Sequence, residues 1–89
     1  MIYTTPFLED LSSLDEAREN AIWEKILLVE SFPGVGSSLI EPSLLTAFGE
    51  AILKVSAAGY DVLYERLGRD ESNTEVVRVL GIVPQRAIR

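Results

Sequence analysis

From Ala51 onward the apolar residues recur at every second position, and this change of period limits the fold more than any other feature of the chain. Successive side chains of a strand point to opposite faces, so a short alternating run marks a strand with one face buried. Three such runs follow one another, at 51–57 (AILKVSA), 60–67 (YDVLYERL) and 74–83 (TEVVRVLGIV). Ala58-Gly59 and the polar stretch 68–73 separate them, and both have turn composition. Connections this short predict an antiparallel meander. In the second run Tyr60, Val62, Tyr64 and Arg66 share one face, and Asp61, Leu63, Glu65 and Leu67 the other. In the third, Val77, Val79 and Val83 share a face, opposite Val76, Arg78, Leu80 and Ile82.

A small sheet leaves an apolar face that another layer must cover. The N-terminal half supplies the cover. Ile2-Tyr3-Thr4 predicts a short strand that pairs with a later one. Thr5 as N-cap and Pro6 in the first turn open a helix with Phe7, Leu8, Leu11 and Leu14 on one face, and Glu9 and Asp10 near its positive end. Ser13-Leu14-Asp15-Glu16 has capping-box spacing and predicts a second helix running to about Phe32. Ala17, Ala21, Ile22, Ile26, Val29 and Phe32 form its inner face, widened by Trp23 and Leu27, and Pro33-Gly34 ends it. The two helices predict an antiparallel αα-hairpin. Glu41-Pro42-Ser43 marks a short helical turn through Leu44, Leu45 and Phe48; otherwise 37–50 carries no clear pattern. With no repeat and no long linker, residues 1–89 form a single domain. The expected fold is α+β: a short N-terminal strand and an αα-hairpin packed on a small antiparallel sheet.

Composition narrows the chemistry. The chain has no cysteine and no histidine, which removes disulfides, thiolate nucleophiles, Cys/His zinc sites and histidine acid–base catalysis. No apolar run approaches the ~18–20 residues of a bilayer span, and MIYTTPFLED lacks the basic and apolar regions of a signal peptide. A cytoplasmic protein without a membrane partner is expected. The net charge of −6 opposes general nucleic-acid binding. It is unevenly spread: residues 1–53 carry two basic groups against nine acidic, and 54–89 carry six against five. A solvated helical face accounts for this asymmetry. The GVG at 34–36 follows a helix and lacks Gly-Lys-Ser/Thr, so it is not a phosphate loop. Glu9/Asp10 and Asp15/Glu16 suit helix starts, and Asp70-Glu71-Ser72-Asn73 lacks the later ligands of a calcium loop. No metal and no cofactor are expected.

The order of these elements, with certain words in them, resembles the RelE/ParE superfamily of toxins from bacterial type II toxin–antitoxin modules. IYTTPFLEDLSSL is similar to the family's opening strand and first helix, and ESFPGVGSS to its helix-ending FP-x-x-G signature. GYDVLYERLG is similar to its Y-x-V-x-Y strand. EVVRVLGI is similar to its V-x-I-L-R-V-L-H strand, with Gly81 where the family often has His. The resemblance covers nearly the whole chain, although the first helix is short and 37–50 match no family word. It implies a cognate antitoxin that lays a helix, and sometimes an added strand, along the toxin surface. A homodimer through exposed apolar positions is the competing expectation.

The family implies one of two activities. ParE-like members bind and inhibit DNA gyrase and are not enzymes. RelE-like members cut mRNA on the ribosome, which requires a base for the 2′-OH, a cation for the phosphorane and an acid for the leaving oxygen. The RNase branch commonly ends its last strand in a basic cluster and a Tyr. Here GIVPQRAIR puts Ile82 and Val83 in that place, and no Tyr follows. The remaining RNase candidates are Lys54, Tyr64, Arg66, Arg78 and Arg86. As structural residues, Lys54 is a solvated sheet lysine, Tyr64 a core aromatic, and Arg78 a sheet arginine paired with an acid such as Glu65. The target-binding candidates are Arg78, Arg86 and Arg89, the last two on a C-terminal tail. The resemblance therefore leads to a ParE-like toxin, with a RelE-like endonuclease or a non-toxic interaction module as alternatives.

Overall fold

A computed structural model describes residues 1–87 of the protein. Strand β1 (Ile2–Tyr3) leads into helices α1 (Thr5–Ser12), α2 (Glu16–Ser31) and α3 (Pro42–Phe48). Strands β2 (Ile52–Ala57), β3 (Tyr60–Arg69) and β4 (Glu75–Pro84) follow, and a 3₁₀ turn spans Gln85–Ala87. The strands form one sheet in the order β1-β4-β3-β2. The expected α+β class and C-terminal meander are both present. The sheet is mixed, because β1 lies parallel to β4 with Ile2 opposite Arg78 and Tyr3 opposite Val79.

Local chemistry sets the joints, and two of them differ from expectation. Thr5 is the first helical residue and not the cap; the cap position is Thr4. Its hydroxyl donates to the Val79 carbonyl at 2.8 Å, so it fastens β1 to β4 in place of capping α1. Likewise Ser13 does not open α2. Its hydroxyl donates back to the Asp10 carbonyl at 2.7 Å, while Asp15 caps α2 by accepting from the Arg18 N–H at 2.8 Å. A carboxylate at the positive end of the helix dipole is the stronger cap. The β2–β3 turn is the expected Ala58-Gly59, with φ of 52° and 84°. Positive φ at both central residues suits the right-handed twist of a hairpin.

The main core lies between the helical hairpin and the sheet. Phe7 and Leu11 of α1 and Ile22, Ile26 and Val29 of α2 pack on Val55, Val62, Tyr64, Val77, Val79 and Ile82. Tyr3 sits beside Phe7 (ring centroids 5.7 Å) and edge-on to Trp23 (5.4 Å). Three residues expected on the inner face of α2 are not there: Ala17 is exposed, Leu27 is 62% exposed and Phe32 63%. Leu27 follows Ile26 by one helical step of about 100°, and Phe32 is already the C-cap, where the backbone leaves the helix.

The faces of β4 also differ from simple alternation. Leu63 pairs with Gly81 but Tyr64 with Val79, so Leu80 is an extra residue in β4. Such a bulge reverses the phase of the strand beyond it. Ile82 therefore joins Val77 and Val79 on the helical side, and Val83 joins Leu80 on the other. That second face carries a smaller cluster in which Leu44 of α3 meets Ile52 and Leu63, with Leu45, Phe48, Leu80 and Val83 around them. Among the described residues no helix is long and apolar enough to cross a membrane.

Candidate functional site

Tyr64 lies on the helical side of β3 and is 1% exposed. Its hydroxyl donates to the Pro33 carbonyl at 2.7 Å and accepts from the Gly36 N–H at 2.9 Å. Burial raises its pKa above the ordinary tyrosine value. A Cβ on residue 36 would stand 2.5 Å from this hydroxyl, so the Pro33–Gly36 loop closes over Tyr64 only because position 36 is glycine. Tyr64 is thus a pin for the loop that follows α2.

The other strand candidates are also engaged. The Arg66 guanidinium bonds the Glu75 carboxylate across the β3–β4 pair; this contact lowers the Glu75 pKa and raises that of Arg66. Arg78 pairs with Glu65 at 3.2 Å, the partner expected for a sheet arginine. An exposed pair of this kind is worth about 0–1 kcal/mol. Lys54 lies on the second face and is not solvated as a sheet lysine would be. Its ammonium meets the Glu41 carboxylate at 3.1 Å and Asp61 at 3.7 Å. Its backbone exchanges hydrogen bonds with Ser37, covering the outer edge of β2 at that point.

Asp61 was not legible as a site residue. It is 2% exposed and lies inside a polar cluster. It accepts from the Ser56 hydroxyl at 2.8 Å and from Gln85 Nε2 at 3.0 Å. The Gln85 N–H also donates to the Gly59 carbonyl at 2.9 Å. Gln85 thereby ties the 3₁₀ turn to β3 and to the β2–β3 turn. Arg86, expected on a tail, is held in that turn, and Arg89 lies outside the described residues.

Arg86 opens onto a surface cleft of about 380 Å³, walled also by Arg18, Gly59, Tyr60, Pro84 and Gln85. A second cleft of about 210 Å³ is lined by Asp10, Ser13, Leu14, Tyr60, Ile82 and Pro84. Arg18 and Asp10 come from the helical hairpin, more than half the chain away from Arg86, and neither helix bears a motif that would single them out. Of the target-binding candidates the structure therefore puts Arg86 at a cleft and Arg78 in an ion pair on the second face, and it does not bring the two to one site. Among the described residues no group of three carboxylates gathers to hold a metal. No protein-family model, curated protein or solved structure matches the chain.

Proposed function

We propose that this chain is the toxin of a type II toxin–antitoxin module of the plasmid-stabilisation kind, on the ParE-like branch of the RelE/ParE superfamily. In this reading it is neutralised by a cognate antitoxin and acts in the cytoplasm by binding and inhibiting DNA gyrase. The observation that carries the reading is the conjunction of family words with architecture. The FPGVGS word sits where α2 ends, and the Y-x-V-x-Y and RVLG words sit on the adjacent strands β3 and β4. Support for the binding branch over the RNase branch comes from the fate of the polar candidates. Of the five RNase candidates, Lys54, Tyr64, Arg66 and Arg78 are each held by a partner within the fold, and Arg86 stands at a cleft. Acid–base work needs such groups free to reach a substrate. Support for an antitoxin comes from Leu27, Phe32, Val35 and Leu39, which stand exposed at the end of α2 and in the loop beyond it. An amphipathic helix buries its apolar face on surfaces of this kind.

Induced expression in a bacterial host without antitoxin tests the reading, with pulse-labelled DNA and protein synthesis followed in time. Growth should stop with DNA synthesis falling first, and purified protein should inhibit supercoiling by gyrase. A first fall in protein synthesis would move the target to the ribosome. Unaffected growth with folded protein present would remove the toxin reading.

A further inference from the structure

The two clefts share Tyr60 and Pro84 as walls. A segment laid over that shared ridge reaches both. At one end stand Arg86 and Arg18, and at the other stands Asp10. Neither Arg86 nor Asp10 has an ion-pair partner among the described residues, whereas Arg66 and Arg78 both do. Arg18 pairs only with the exposed Asp15. The ground between the charged ends is apolar or aromatic: Tyr60, Pro84, Ile82 and Leu14. Asp10 Oδ2 lies 3.5 Å from the Ile82 N–H, which fixes the acidic end of the groove at residue 82 of β4. From there the chain runs along β4 to Pro84 and through the 3₁₀ turn to Arg86, about 11 Å in all at strand and 3₁₀ rise.

We propose that this groove holds an extended peptide segment of a partner protein, with an acidic side chain seated between Arg86 and Arg18, apolar side chains over Tyr60 and Pro84, and a basic side chain at Asp10. Nucleic acid does not fit the same surface. Its phosphates would meet Asp10 and a chain of net charge −6. A four-residue extended peptide matches the length and satisfies both ends at once. The groove stands on its own geometry and does not rest on the toxin reading.

The test uses the full chain, with backbone amide resonances of Gly59, Tyr60 and Ile82 as reporters. The probes are an acetylated, amidated tetrapeptide of glutamate, two leucines and lysine, the same peptide with glutamine at both ends, and inorganic phosphate. The charged peptide should shift Gly59 and Ile82 together and saturably. The glutamine-ended peptide should bind about a hundredfold more weakly, about tenfold for each of the two charge-assisted contacts it loses. Arg86→Gln and Asp10→Asn should each weaken the charged peptide about tenfold while leaving the remaining spectrum dispersed as in the native chain. Equal binding of the two peptides, no saturable shift, or phosphate alone reproducing the shifts at both Gly59 and Ile82 would overturn the proposal. None of these results bears on growth arrest, so the two readings fail separately.

Discussion

Tyr64 joins β3 to the loop after α2 through one oxygen, and its two partners lie 31 and 28 residues away in the chain. That separation is why the alternating pattern reveals the ring of Tyr64 as a core group and says nothing of its hydroxyl. Tyr64→Phe keeps the ring and leaves the Pro33 carbonyl and Gly36 N–H without their partner, so it should lower stability by about 1–3 kcal/mol in denaturant unfolding. The pH dependence has a definite sign. Burial raises the pKa of Tyr64 in the folded state above its ordinary value of 10.0. The native contribution is therefore fully present below pH 10 or so and is lost as pH rises through the folded value. Alkaline melts of the Phe variant should show a shallower loss, with the part due to Tyr3, also raised by burial, remaining.

At the scale of elements, period-two and period-3.6 patterns located the strands and helices within a residue or two of where they lie. What they could not show was the phase of β4 past Leu80. A bulge adds a residue without changing composition, so Ile82 and Val83 exchange faces with no trace in the sequence. The stripe of α2 was read too wide for a similar reason. Ile22, Ile26 and Val29 meet the sheet with Ala21 and Trp23 packed at its margin, whereas Ala17, Leu27 and Phe32 had no second surface to bury. Helix α3 shows the reverse case. A seven-residue helix is marginal alone, and it persists because Leu44 packs against Ile52 and Leu63. Leu44→Ala should cost about 2–4 kcal/mol. Hydrogen exchange should localise the damage, speeding amides on α3 while the α1–α2 hairpin stays protected.

For the molecule as a whole, the hairpin on one side and α3 on the other leave the end of α2 as uncovered apolar surface. Leu27, Phe32 and Leu39, 62%, 63% and 82% exposed, contribute nothing to the monomer's core. Replacing Leu27 and Phe32 by Ser should leave monomer stability within about 0.5 kcal/mol per site. The same variant should lose association, whether with an antitoxin or with a second copy, in sedimentation and pull-down measurements. The groove between Arg86 and Asp10 was illegible in sequence because its walls come from α1, α2, the β2–β3 turn and the chain beyond β4. Only the closed fold brings them within reach of one ligand.

The parallel contact between β1 and β4 has a consequence in time. Ile2 and Tyr3 have no pairing partner until Arg78 and Val79, far along the chain, have been made. Thr4 likewise waits for Val79 and Leu80 to receive its hydroxyl. The β1 edge of the sheet therefore closes only after β4 has been made, and ordering so distant a pair slows that step. Until then the nascent chain lacks both the completed sheet and the groove beside Pro84, and a strand edge on β4 stands open in their place.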